Sequence, residues 1–186
     1  MRDLSSKTIH IGPGVGRAVR MAGAQLITRK VSSKQTGGAY SLFEVAVRPG
    51  GGPTPHIQHR EDECFYVLEG RFEFLFEGSR LEAGPGSLIY IPMGNLHAFK
   101  NIGEATARLL MSQTPGGSHE RFIEETGEPA IEQATSPVKQ EVLDTERLFA
   151  IGAEYGVEIV STASLADTGA HEETSKKKPE QRGEKR

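Results

Sequence analysis

Between Gln25 and Gln113 the chain is a succession of short runs in which apolar and polar residues alternate, each closed by glycine, proline or charged residues. Alternation with a period of two is the signature of strands with one buried face. In "YSLFEVAV" it puts Phe43, Val45 and Val47 on one side, and in "RFEFLFEG" it does the same for Phe72, Phe74 and Phe76. The runs "ECFYVLEG", "SLIYIP" and "ARLLMSQ" continue the series, and "RPGGGPTP", "FEGS" and "EAGPG" supply turns between them. No helix alternates with these strands, so they must pair antiparallel, in a sandwich or barrel.

The 186 residues allow one such domain with extensions. With no Trp and 6% aromatic residues, the core must come from Val, Ile, Leu and Phe. The expected division is an N-terminal arm (1–24), the β-barrel (25–115), a C-terminal helical extension (116–160) and a disordered charged tail (161–186). Two short helices are expected in the extension, packed on the outside of the barrel. "SHERFIEETG" has Ser118 as its N-cap and Gly127 past its end. "DTERLFAIGAEYG" has Asp144 as cap, Leu148, Ile151 and Tyr155 on one face, and Gly156 as terminator. Beyond Ser161, Leu165 is the one sizeable apolar side chain, too little to offset the entropy of ordering that tail.

A net charge of −3 provides no basic field for nucleic acid. No run approaches the ~18 apolar residues of a membrane span. The single cysteine, Cys64, cannot form an internal disulfide, and the opening "MRDLSSKTIHIG" lacks the apolar core of a signal peptide. A soluble cytoplasmic protein acting on a small molecule is the expectation.

Chemistry concentrates in two clusters. His56 and Gln58 lie two apart, on the same side of a strand, and "HRED" leaves room for a kink that returns Glu63 to the same interior. His97 follows "IPMGNL", where Pro92 and Gly94 turn the chain into the next strand. Two imidazoles, a carboxylate and an amide oxygen converging in a barrel suit one divalent Fe, Mn, Ni, Co or Zn. His59, three from His56, points the other way and is read as a surface histidine paired with Glu61 or Asp62, acidic residues that rim the opening or cap the turn. "GPGVG" is a turn, Cys64 a packed thiol, and Tyr66 and Tyr90 packed strand residues. His10, His119 and His171 have no evident partners.

The two clusters resemble the paired motifs of the cupin superfamily. The first follows G-x5-H-x-H-x4-E-x6-G as Gly50, His56, position 58, Glu63 and Gly70, with Gln58 in place of the second histidine. The second follows G-x5-P-x-G-x2-H-x3-N as Gly86, Pro92, Gly94, His97 and Asn101. The resemblance covers residues 40–115 and is similar to quercetin dioxygenase-like single-domain members. It implies an antiparallel double-stranded β-helix, a jelly roll, commonly dimeric. It further implies that His56, Glu63 and His97 are metal ligands, that Phe65 lines the cavity beside them, and that Glu63 doubles as the catalytic base. Gln58 would be the fourth ligand, and its amide oxygen is a weaker donor than imidazole. The leading expectation is a metal-dependent dioxygenase acting on a small phenolic or enolisable substrate; the alternatives are an isomerase or cyclase with weak or absent metal that uses Glu63 and His97 as acid and base, and a small-molecule-binding module without turnover.

Overall fold

A computed structural model describes residues 8–76, 78–130 and 145–160. Its strands in chain order are β1 (Arg17–Met21), β2 (Gln25–Val31), β3 (Ser41–Val47), β4 (His56–Gln58), β5 (Asp62–Glu69) and β6 (Phe72–Phe76). They continue as β7 (Ser79–Ala83), β8 (Leu88–Ile91), β9 (Leu96–Asn101), β10 (Ala107–Thr114), β11 (Glu128–Pro129) and β12 (Val157–Ile159). Helix α1 (Ser118–Thr126) precedes β11 and helix α2 (Thr145–Tyr155) precedes β12. One sheet has the order β11-β1-β2-β3-β10-β5-β8 and the other β12-β4-β9-β6-β7, with every pairing antiparallel. From β3 to β10 the chain crosses repeatedly between the two sheets, which winds it into the expected double-stranded β-helix.

Period two explains the core. Phe43, Val45 and Val47 are at most 1% exposed, while Leu42, Glu44 and Ala46 between them are half-buried. The rings of Phe65, Phe72, Phe74 and Phe99 meet with centroids 5.5 to 6.2 Å apart inside the barrel. Two glycines hold the strands that carry the motif residues. Gly94 has φ of 86° and donates its N–H to the Gln58 carbonyl at 2.7 Å, fixing the turn before His97 against β4. A Cβ on Gly52 would lie 1.9 Å from the Phe99 carbonyl oxygen, so no larger residue fits between that loop and β9.

Several local readings change. Strand pairing begins at Arg17, because "RAVRM" buries Val19 alone and shows no alternation to read. β7 is almost wholly exposed, so its sequence looked like turn, and β12 follows α2 directly at the edge of β4. Ser118 is the first helical residue of α1 rather than its cap. The preceding residue is Gly117, and the exposed N–H groups are met from β5's approach by Glu61. Both helices pack against the barrel, with Phe122 and Ile123 of α1 and Leu148 of α2 lining the cavity that reaches the site. Tyr66 and Tyr90 are 42% and 56% exposed, on the outer face with Cys64, because strand parity sends Glu63 and Phe65 inward. Asp144, His171 and the 161–186 tail lie outside the described residues. Among the described residues, no helix is long and apolar enough to cross a membrane.

Candidate metal centre

His56 and His97 are cross-strand partners in β4 and β9, and Glu63 reaches them from β5 in the opposite sheet. Their ligand atoms all lie within 4.8 Å of one another, and the three side chains are buried. The Nδ1–H of His56 donates to the Thr54 carbonyl at 2.9 Å, and that of His97 to the Asn95 carbonyl at 2.9 Å. Each ring is thereby fixed with Nε2 turned toward Glu63. His97 Nε2 is 2.6 Å and His56 Nε2 4.0 Å from Glu63 Oε2. An imidazole anchored through one nitrogen to a backbone carbonyl, with the other left as a donor, is how metal-binding histidines are oriented.

The electrostatics agree. Burial, with the neighbouring His97 charge, pushes His56 down to about 3, so it stays a neutral lone-pair donor at ordinary pH. Burial alone would raise Glu63, but hydrogen bonds with His119 and His97 outweigh it and hold the carboxyl well below the usual range. Burial opposes a charge on His97 too, yet the Glu63 hydrogen bond and charge prevail and raise it. Two imidazoles and a carboxylate therefore converge on one buried space. That donor set fits a divalent transition metal.

Gln58 points inward beside His56, as parity requires, and is 3% exposed. Its amide nitrogen lies 2.7 Å from Nδ1 of His119, a residue on the first turn of α1. The same Nδ1 is 3.2 Å from Glu63 Oε1. Gln113 of β10 donates from Nε2 to Glu63 Oε1 at 3.0 Å, and its Nε2 is also 3.2 Å from His119 Nδ1. His119 thus has partners, contrary to expectation, and sequence reasoning missed both it and Gln113. A signal existed: His119, Phe122, Ile123 and Thr126 follow the three-to-four spacing of α1's buried face. Gln113 continues the inward series of Leu109 and Met111.

The remaining acidic residues have other tasks. Glu61, 2% exposed, accepts the backbone N–H groups of Ser118 and His119, and Asp62 accepts that of Met93 at 2.9 Å. His59 faces solvent, as its parity demands, but pairs with Glu158 of β12 at 2.8 Å instead of Glu61 or Asp62. Asn101 holds a loop: Nδ2 donates to the carbonyls of Val47 and Ala105, and Oδ1 accepts the Gly103 N–H, each at 2.8 Å. Burial raises the Cys64 thiol, which leaves it a poor nucleophile.

A predominantly apolar cavity opens onto His56, Glu63 and His119. Its walls include Met21, Ile27, Phe65, Phe99, Met111, Phe122 and Leu148. Phe65 also packs against the His97 ring at a centroid distance of 6.2 Å.

The sequence model of the Cupin domain family matches residues 43–112. Polyketide synthase CurC of Streptomyces cyaneus is 30% identical over 89 residues, covering 47% of this chain and 58% of that protein. Quercetin 2,3-dioxygenase of Bacillus subtilis is a more distant relative, 23% identical over 129 residues, covering 69% of this chain and 37% of that one. Among solved structures, the polyketide cyclase RemF from Streptomyces resistomycificus superposes with a TM-score of 0.52 at 26% identity, covering 58% of this chain and 80% of that one. The chain thus spans less than two thirds of the length of these two curated relatives.

Proposed function

Since residues 43–112 belong to the cupin family, we propose that this chain is a metal-dependent enzyme that deprotonates an apolar phenolic or enolisable small molecule and directs its cyclisation. The observation that carries the reading is the buried Glu63 carboxyl group, held among His97, His119 and Gln113 where an apolar cavity meets the site. His56, Glu63 and His97 would hold the cation. Bound there, a divalent metal supplies a Lewis acid that polarises a substrate oxygen and lowers the pKa of the neighbouring C–H or O–H.

The chain's own residues supply the rest. Met21, Ile27, Phe99 and Phe122 exclude water and take an aromatic or polyketide-like skeleton against their side chains. Glu63 accepts the proton on Oε1, and the electron pair of the broken bond stays on the substrate. Gln113 donates to that oxygen, and so orients the carboxylate for the transfer. The proton that Glu63 has taken is then the one returned to the oxygen left after ring closure, so the transfer balances on one carboxylate. The cyclisation needs no oxidant: a carbanion carbon forms a bond to a carbonyl carbon of the same molecule, and that carbonyl's electron pair moves to oxygen. The similarity to a polyketide cyclase and to polyketide synthase CurC favours this course.

The similarity to quercetin 2,3-dioxygenase favours a second course from the same enolate, in which dioxygen is the oxidant. Metal-loaded protein incubated with linear polyketones and with flavonols, with and without oxygen, separates the two. Cyclised product under anaerobic conditions supports the cyclase, and oxygen consumption matched by oxygenated product supports the dioxygenase. Absence of turnover across both substrate classes, with metal bound, contradicts the proposal.

A further inference from the structure

We infer that His119 is the fourth protein ligand of this metal centre, supplied by α1 in place of the histidine that Gln58 replaces. The inference rests on the metal reading above and assigns a role to a residue outside the barrel motifs.

Three observations carry it. The first is position. His119 is 8% exposed, and its Nδ1 stands 3.2 Å from Glu63 Oε1, a separation that two ligands at right angles on one cation adopt. The second is the arrangement of the rings. With metal–nitrogen bonds of about 2.1 Å, imidazole centroids lie about 4.5 Å apart when the rings are at right angles on the metal and about 6.4 Å apart when opposite. His56 and His97 are separated by 4.4 Å and His56 and His119 by 6.1 Å, close to those two ring spacings, while the ligand atoms already within 4.8 Å of one another are those of His56, Glu63 and His97, so the His119 ring closes in when the cation binds.

The third is an excess of partners. The amide nitrogens of both Gln58 and Gln113 approach His119 Nδ1, which has a single in-plane lone pair, while a carboxylate oxygen faces the same atom. Gln113 Oε1 is buried and lacks a hydrogen-bond partner among the described residues. These groups are arranged around a point that hydrogen bonding alone does not satisfy. A cation there would draw the Nδ1 lone pair and the carboxylate together. Gln58 then acts as a positioning residue, its amide set against the ring that takes over the fourth corner.

The placement of His119 is built into the fold. Glu61 fixes the first turn of α1 by accepting the N–H groups of Ser118 and His119. The ring itself packs beside Phe122 with centroids 5.7 Å apart.

The test is calorimetric titration of metal-free protein with Ni(II) and Zn(II), together with the visible spectrum of the Co(II) form. Wild type, His119→Ala, and His119→Ala combined with Gln58→His are compared. The expected result is at least a tenfold loss of affinity and an altered Co(II) spectrum in His119→Ala, both reversed when Gln58→His restores a fourth imidazole. Nitrogen-15 spectra of zinc-loaded wild type read the same point without substitution: His119 should be coordinated through Nδ1, His56 and His97 through Nε2. Unchanged affinity and spectrum in His119→Ala, or a His119 ring unshifted by zinc, overturns the inference and leaves the three-ligand site standing. A wild-type chain that takes up no metal overturns the site itself.

Discussion

The Glu61 carboxylate accepts the backbone N–H of His119 at 2.8 Å, joining the loop between β4 and β5 to the first turn of α1. Its other oxygen accepts the Ser118 N–H at 2.7 Å. An anion at a helix N-terminus satisfies orphan donors and meets the positive end of the helix dipole. Here it also fixes a ring that faces Glu63.

Glu61→Ala is therefore expected to cost about 1–3 kcal/mol, the range for losing charge-assisted bonds to buried backbone donors. Chemical denaturation measures it. Because α1 carries His119, metal affinity should fall in the same variant. A variant as stable as wild type would show that the contact contributes nothing to holding the helix.

Asn101→Ala should behave differently from a ligand substitution. Its three hydrogen bonds join Val47, Ala105 and Gly103, and leaving buried backbone groups unpaired costs about 1–3 kcal/mol each before relaxation. The expected outcome is a lowered melting temperature with metal stoichiometry unchanged. Stoichiometry lost at temperatures where the variant remains folded would contradict this structural role.

Gly52→Ala places a methyl group where the Phe99 carbonyl oxygen already lies 1.9 Å away. β9 must shift, and His97 sits on that strand. A loss of roughly 2 kcal/mol or more is expected from such overpacking, visible as an earlier urea midpoint. An unchanged midpoint would mean that the loop yields instead of β9.

His59→Ala is expected to leave metal content intact and stability within about 1 kcal/mol, since exposed ion pairs contribute little. Elemental analysis and a melting curve check both. Loss of metal in this variant would show that the strand parity assigned to β4 is wrong.

How much of this could be read from sequence follows from what each feature depends on. Parity alone placed His56 and Gln58 inward and His59 outward, and the alternation in β3 and β6 identified their buried faces. Parity also contained the exposure of Tyr66 and Tyr90, which a general preference for packed aromatics had overridden. The role of Glu61 was not legible, because a tertiary contact replaced the local cap at Ser118. Nor was the proximity of His119 to Glu63: it depends on α1 crossing the open end of the barrel, and no local pattern encodes that docking. β12 was hidden for the same reason, being three residues that become a strand by pairing with β4.

Whether His56, Glu63 and His97 hold a metal is tested most directly by the metal content of the 186-residue chain after supplementation with divalent Fe, Mn, Ni, Co or Zn and removal of excess. About one transition metal ion per chain is expected, abolished by His97→Ala and by His56→Ala. A folded wild-type chain without metal, or a His97→Ala variant that retains it in full, would contradict the account.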